Sequence, residues 1–226
     1  MPGKNLRKLG GLSLTAFKAI SAKKSKHCSR LVISSDSEEI QREAVEFGAE
    51  VLFNRPNELA SDSASSEDVV RHALDFIKTN EGRTYDGVML LEPSSPFAGP
   101  QDYDQAIDIY LREKASLVVG VRETEVNSVF TGPLGQNGNI SGIIEKFTNL
   151  GDTRRQALAT EYTMNGTLYL IDCKMFEQTG KVYGDPERTY GYVMDRAHST
   201  EIETLFDLKL AEFLIDSGEI DISEWK

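Results

Sequence analysis

Two uninterrupted apolar runs constrain the fold of this chain most strongly. Residues 88–91 and 117–121 contain no charged or hydrogen-bonding side chain, which is typical of strands buried on both faces of a sheet. Between them, residues 103–111 repeat apolar positions with the period of an amphipathic helix. Strands and helices that alternate at this spacing predict βαβ units and a parallel sheet.

The same alternation extends over most of the chain. Further strands are predicted over 31–33, 51–53 and 166–171, and further helices over 40–47, 66–78 and 204–217. Ser65 with Asp68, and Thr204 with Asp207, have the spacing of residues that cap a helix start. We therefore predict an α/β fold with a Rossmann-like, mostly parallel sheet and flanking helices.

Between about residues 126 and 161 the alternation stops. Gly132-Pro133 and Asn137-Gly138 are turn signals, and they indicate a hairpin or arm inserted into the α/β domain. The sequence contains no repeat and no linker long enough to divide it. Residues 1–226 are thus predicted to form a single domain with an inserted arm at about 126–161.

Composition excludes several classes of partner. The 226 residues contain 36 Asp and Glu against 25 Lys and Arg, a formal charge of −11. Such a surface repels nucleic-acid backbones and anionic membranes, but one cationic pocket could still bind a nucleotide. Two cysteines are too few for a disulfide scaffold, and no apolar run is long enough to span a membrane. We expect a cytoplasmic protein.

Polar residues are concentrated in the loops that follow the predicted strands. Ligands of open parallel sheets bind at the carboxyl ends of strands, so these loops are the candidate site. They are Ser34-Ser35-Asp36, Asn54-Arg55-Pro56, Glu92-Pro93-Ser94-Ser95-Pro96 and Glu201-Ile202-Glu203. Each also has a structural explanation, because Ser-Ser-Asp can cap a helix and a proline-rich loop can be a rigid turn.

Glu201 and Glu203 alternate around Ile202 just before a predicted helix. In an extended segment both carboxylates would lie on one face, where they could hold Mg²⁺ together with substrate phosphate oxygens. The alternative is a solvated acidic edge. The basic start of the chain, with Lys4, could grip phosphate or be an ordinary solvated terminus. The P-loop and dinucleotide fingerprints are both absent, which disfavours a dinucleotide-dependent oxidoreductase.

Six motifs in order resemble the nonulosonic acid cytidylyltransferases, the family typified by CMP-sialic acid synthetase. The most specific is Arg55-Pro56-Asn57-Glu58-Leu59-Ala60-Ser61-Asp62-Ser63-Ala64-Ser65-Ser66. The others lie at residues 2–5, 34–36, 91–96, 154–169 and 199–207. The resemblance implies that CMP is transferred from CTP to the anomeric hydroxyl of a nine-carbon sugar acid, with release of pyrophosphate, for surface glycans such as lipopolysaccharide. It also implies a homodimer formed through the arm.

The resemblance assigns a role to each matching residue. Lys4 would contact the triphosphate as the catalytic lysine, and Asn5 would contact the nucleotide. Cytosine would be framed by Arg55, Ala64 and Ser66, and the sugar by Glu92, Ser94, Arg155 and Tyr169, with Arg155 on the sugar carboxylate. Glu201 and Glu203 would bind Mg²⁺.

Three departures from the family pattern bear on function. The metal-binding aspartates are replaced by Glu201 and Glu203, so coordination could shift or pass through water. Glu92 stands where a neutral glutamine is usual, which suggests a sugar other than plain sialic acid. The family's first strand and nucleotide loop are missing before Pro2, so we expect Met1 to be an internal methionine.

Two hypotheses follow from these departures. The first is an active, Mg²⁺-dependent enzyme for a sialic, legionaminic or pseudaminic acid, with an eight-carbon octulosonate as a further candidate. The second is a catalytically inactive or truncated relative that serves as a nucleotide-binding or assembly partner.

Overall fold

A four-stranded sheet lies at the centre of the structure, a computed structural model that describes residues 1, 3–61, 64–150, 154 and 157–226. The strands of the described residues are β1 (Lys8–Leu9), β2 (Leu12–Ser13), β3 (Gly87–Leu90), β4 (Leu117–Glu123), β5 (Tyr162–Asp172) and β6 (Thr189–Val193). The central sheet has the order β3-β5-β4-β6. β3, β4 and β6 run in one direction and β5 runs against them. The predicted α/β fold is confirmed.

Helices cover the sheet. They are α1 (Leu14–Lys24), α2 (Glu38–Glu46), α3 (Ser66–Glu81), α4 (Pro100–Glu113), α5 (Ser141–Thr148), α6 (Cys173–Thr179) and α7 (Leu205–Asp216). The hydroxyl of Ser65 accepts a hydrogen bond from the Asp68 amide at 3.1 Å, and Thr204 and Asp207 form a reciprocal capping box. Both predicted caps are confirmed. No helix of the described residues is long and apolar enough to cross a membrane.

Adjacent strand residues face opposite layers, which divides the core in two. Val118 and Leu170 pack with α1 and α4, whereas Leu117 and Ile171 pack with α3 and α6. A further cluster joins α1 to α7 and the last residues of the chain, where Phe17 lies 5.4 Å from Trp225 between ring centroids. This packing fixes α1 firmly between the sheet and the carboxyl-terminal segment.

The strands predicted over 31–33 and 51–53 do not form, and this prediction was wrong. Only an isolated parallel bridge joins Val32 to Glu50, with the Ile33 amide donating to the Glu50 carbonyl at 3.0 Å. β3 is an edge strand of the described sheet, and a cavity of about 570 Å³ is lined both by β3 and by residues 31–35. A strand needs a partner on at least one edge along its length. Residues 31–33 pair with a neighbouring backbone only at the bridge between Val32 and Glu50, so they do not form a strand.

The segment predicted as an arm contains α5, which packs on a 3₁₀ turn at Ser128–Phe130. The rings of Phe130 and Phe147 lie 5.5 Å apart between centroids. Other apolar side chains of the segment, Leu134, Ile140 and Ile144, are exposed. The arm thus presents apolar surface to solvent.

Candidate functional site

One cavity gathers five of the residues predicted to bind substrate. It lies between α1, α3 and β3, and its polar lining includes the loops that follow residues 31–33 and β3. The predicted residues in its wall are Asn5, Arg55, Ala64, Ser66 and Glu92. Residues separated by up to 87 positions along the chain therefore converge on one space. A volume of about 570 Å³ is within the range of small-molecule sites.

Four buried polar atoms in the cavity wall lack a hydrogen-bond partner among the described residues. They are Asn5 Oδ1, Ser34 Oγ, Arg55 Nε and Tyr103 Oη. Buried polar atoms are almost always paired, so an unpaired group of this kind indicates a bound polar molecule or ordered water. The amide oxygen accepts, the guanidinium nitrogen donates and each of the two hydroxyls can do both. Together they could read the edge of a base.

The loop around Arg55 holds its guanidinium in place. Nη2 donates to Asp36 Oδ1 at 3.1 Å, and the Arg55 amide donates to the Ser35 carbonyl at 3.0 Å. The helix that follows is capped by Ser37 rather than by Ser34-Ser35-Asp36, because the Ser37 hydroxyl accepts from the Ile40 amide. The Ser-Ser-Asp segment is therefore left to line the cavity and to anchor Arg55.

A cluster of charges lies beside the cavity. Lys4 Nζ pairs with Glu203 Oε1 at 2.5 Å. Burial raises the pKa of Glu92, and repulsion from Glu201 and Glu203 raises it further, while Lys4 acts in the opposite direction. The predicted catalytic lysine and the three carboxylates therefore share one electrostatic environment.

Glu201 and Glu203 are exposed, as their alternation predicts. Ile202 between them is fully buried, and its amide donates to the Ser94 carbonyl at 2.7 Å. This bond docks the acidic segment on the loop that carries Ser94. The described residues contain no group of three or more side chains that could hold a metal by themselves. Two carboxylates fit Mg²⁺ only if substrate phosphates complete the coordination, which is the usual arrangement for this ion.

Two further predicted sugar residues, Ser94 and Tyr169, lie outside the cavity wall. Ser94 is buried, and Tyr169 on β5 is half-buried beside Leu90 of β3. Burial raises the pKa of Tyr169 to about 12, and the charges of Tyr183 and Glu92 add to this effect. Tyr169 therefore stays a neutral donor near Glu92. Arg155 lies outside the described residues.

Lys18, which lies on α1 and lines the same cavity, was not predicted from the sequence. Its side chain is buried, and Nζ donates to the Thr167 carbonyl at 3.2 Å. Burial lowers the Lys18 pKa to about 7, although the charges of Asp102 and Glu92 oppose this shift. The sequence does contain one signal for this burial. Lys18 lies four residues from both Leu14 and Ala22, which places it on the apolar side of α1.

An α/β sheet with an open cavity at the ends of its strands is a usual setting for small-molecule binding. The structure shares its fold with CMP:2-keto-3-deoxy-manno-octonic acid synthetase, solved as a complex with CTP, at a TM-score of 0.66. That likeness covers 96% of this chain and 93% of the other, at 12% identity.

Residues 1–132 match the cytidylyltransferase family model, and the chain belongs to this family. It is 30% identical to CMP-N,N′-diacetyllegionaminic acid synthase of Campylobacter jejuni, over 94% of this chain and 88% of that protein. It is 29% identical to post-translational flagellin modification protein B of Campylobacter coli, over 98% of this chain and 92% of that protein.

Proposed function

We propose that this protein transfers CMP from CTP to the anomeric hydroxyl of a nonulosonic acid. The observation that carries the proposal is the set of unpartnered atoms of Asn5, Ser34 and Arg55 in one cavity, beside a lysine and three carboxylates. In a cytidylyltransferase, this arrangement suits a pyrimidine base at the unpartnered atoms and phosphates at the charged cluster. The relatives named for legionaminic acid support a nine-carbon sugar acid as the acceptor.

The reaction is a displacement at the α-phosphorus of CTP. The anomeric oxygen forms a bond to this phosphorus as the bond to the bridging oxygen of the β-phosphate breaks, and pyrophosphate leaves. The hydroxyl proton passes to solvent or to a nearby carboxylate. Catalysis of this kind depends on positioning and on neutralising charge.

Lys4 is the residue proposed to neutralise phosphate charge. Its pairing with Glu203 is partly exposed, and exposed ion pairs contribute only about 0–1 kcal/mol. A triphosphate can therefore replace Glu203 as the partner of Lys4 at a small cost in free energy. The freed Glu203 would join Glu201 in holding a divalent ion, which when bound supplies further charge neutralisation at the phosphates.

The sugar is proposed to lie next to Glu92. A half-buried carboxylate with no hydrogen-bond partner among the described residues suits an N–H or O–H donor of the sugar. Ser94 and Tyr169 would form the wall beyond it, and the planar guanidinium of Arg155 would bind the sugar carboxylate.

The alternative, an inactive relative that only binds nucleotide or a partner protein, is not favoured. The chain matches several relatives named as synthases or cytidylyltransferases over more than nine-tenths of its length. The two free cysteines fit a reducing compartment. We therefore include in the proposal a cytoplasmic location and the supply of CMP-sugars for surface glycans such as lipopolysaccharide.

Pyrophosphate release from CTP tests the proposed function. The 226-residue chain is incubated with CTP, Mg²⁺ and legionaminic, pseudaminic, sialic or octulosonic acid in turn, with ATP and GTP as nucleotide controls. We expect release with CTP and at least one nine-carbon acid. Binding of CTP without release from any acid would instead support the inactive alternative.

Glu201→Gln is expected to raise the Mg²⁺ concentration that gives half-maximal activity by about tenfold or more. The substitution keeps the side-chain size but replaces an ionised ligand with a neutral one, which binds a hard cation weakly. Activity is titrated with Mg²⁺ after treatment with a chelator. Glu212→Gln, an exposed glutamate on α7, is the matched control. Full activity of the chelated wild type would contradict the metal assignment.

We also propose a homodimer formed through the arm. Ile144 is 46% exposed on α5, next to exposed Ile140. Ile144→Asp is expected to weaken dimerisation by about tenfold or more, because it places a charge in an apolar interface. Light scattering across the micromolar range measures this, with Glu145→Gln as the control. A wild-type mass of 25.1 kDa at every concentration would contradict the proposal.

A further inference from the structure

Lys18 is a buried amine with unused hydrogen-bond donors. Only 5% of the residue is exposed, and its one hydrogen bond within the described structure goes to the Thr167 carbonyl. Its Nζ also lies over the Tyr103 ring, 5.7 Å from the ring centroid, a cation–π contact that takes up no N–H as a conventional hydrogen bond. An ammonium has three N–H groups and a neutral amine has two. In either form at least one donor remains free in the wall of the cavity.

Glu92 is the complementary group in the same cavity. It is half-buried, and its carboxylate accepts no hydrogen bond from the described residues. Lys18 and Glu92 attract each other electrostatically, but no ion pair or hydrogen bond joins them. Lys18 and Glu92 therefore line one cavity with a free donor and a free acceptor, and no direct bond joins them.

We propose that Lys18 is a specificity-determining residue that selects a sugar acid carrying an acylamino group. Lys18 donates to the acyl oxygen, and Glu92 accepts from the amide N–H of the same group. The N–H and C=O of a trans amide point in opposite directions, so one acylamino group offers an acceptor to Lys18 and a donor to Glu92. A hydroxyl at that position carries its donor and its acceptor on one oxygen, so it spans a shorter distance than an amide does. This inference rests on the proposed function.

The test compares acids with and without the acylamino group. Values of kcat/KM are measured for N,N′-diacetyllegionaminic acid, N-acetylneuraminic acid and 2-keto-3-deoxynononic acid, in which a hydroxyl replaces the acylamino group of neuraminic acid. A site built to hydrogen-bond both ends of a group rejects an analogue that lacks it. We expect the wild-type kcat/KM for the better of the two acylamino acids to exceed that for 2-keto-3-deoxynononic acid by about tenfold or more.

Lys18→Met should remove most of that preference while the KM for CTP stays within about twofold of the wild-type value. Lys23→Met, on the exposed side of the same helix, is the matched control and should keep the preference. Glu92→Gln serves as the second variant. A double mutant with Lys18→Met should lose little more of the preference for acylamino acids than either single variant, because both side chains bind the same acylamino group.

The outcomes separate the two proposals. Turnover of all three acids with equal kcat/KM would keep the proposed function and overturn the role of Lys18. A Lys18→Met variant that slows every acid equally, with its preference intact, would make Lys18 merely structural and would also overturn the inference. A wild type that turns over no acid would overturn the proposed function, and this inference with it.

Discussion

Arg55→Met is expected to lower kcat/KM for CTP by about a hundredfold. Arg55 Nε is buried in the cavity wall without a partner, while Nη2 is held by Asp36 at 3.1 Å. The guanidinium is therefore fixed before the ligand arrives, and a hydrogen bond from a charged group contributes about 1.5–3 kcal/mol. Loss of that bond would also leave an acceptor of the base unpaired.

The Arg55→Met substitution should weaken the binding of CTP and leave the binding of the sugar acid unchanged. Steady-state kinetics with each substrate varied in turn would show a raised KM for CTP and a nearly unchanged KM for the sugar acid. Arg55→Lys should recover little, because an ammonium cannot reproduce the planar guanidinium. Arg42→Met, an exposed arginine on α2, is the matched control. An Arg55→Met enzyme with the wild-type KM for CTP would remove Arg55 from the base site.

Local signals predicted the helices well. The start of α3 depends on the Ser65 hydroxyl and that of α7 on Thr204 with Asp207, and each cap involves residues three positions apart. Such signals are complete within a few residues of sequence. The strands over 31–33 and 51–53 failed for the opposite reason, because an apolar run becomes a strand only where a neighbouring backbone pairs with it.

The candidate site was predictable where it follows from topology. Arg55 and Glu92 were predicted in loops after neighbouring strands, and they do converge on one cavity, although β3 forms as a strand and residues 51–53 do not. The ion pair of Lys4 with Glu203 joins residues 199 positions apart. Its geometry depends on how the last loop docks through Ile202 on Ser94, which no local pattern encodes.

Lys18 shows why the rest of the site was missed. The sequence identifies a lysine in a helix, and lysines in helices are usually solvated. Its burial results from α1 packing between the sheet and the carboxyl-terminal segment around Trp225. A buried amine is unfavourable for folding, and local rules of this kind are most often broken at functional sites.

Lys18→Met is expected to stabilise the fold by about 1–4 kcal/mol near neutral pH, because buried charges are often less favourable than apolar side chains of similar size. The folded-state pKa of Lys18 is about 7, below its ordinary value of 10.5. The unfolded chain therefore binds a proton that the folded chain resists, and the penalty is complete below pH 7 and disappears as pH rises through 10.5. Denaturant unfolding of both proteins should show the gain in stability shrinking as pH increases, whereas exposed Lys23→Met should show no gain.

A Lys18→Met protein less stable than wild type at neutral pH would mean that the Thr167 hydrogen bond and the attraction of Asp102 and Glu92 outweigh the cost of burial. A more stable variant with relaxed sugar preference would mean that the wild-type chain gives up stability for selectivity at this position.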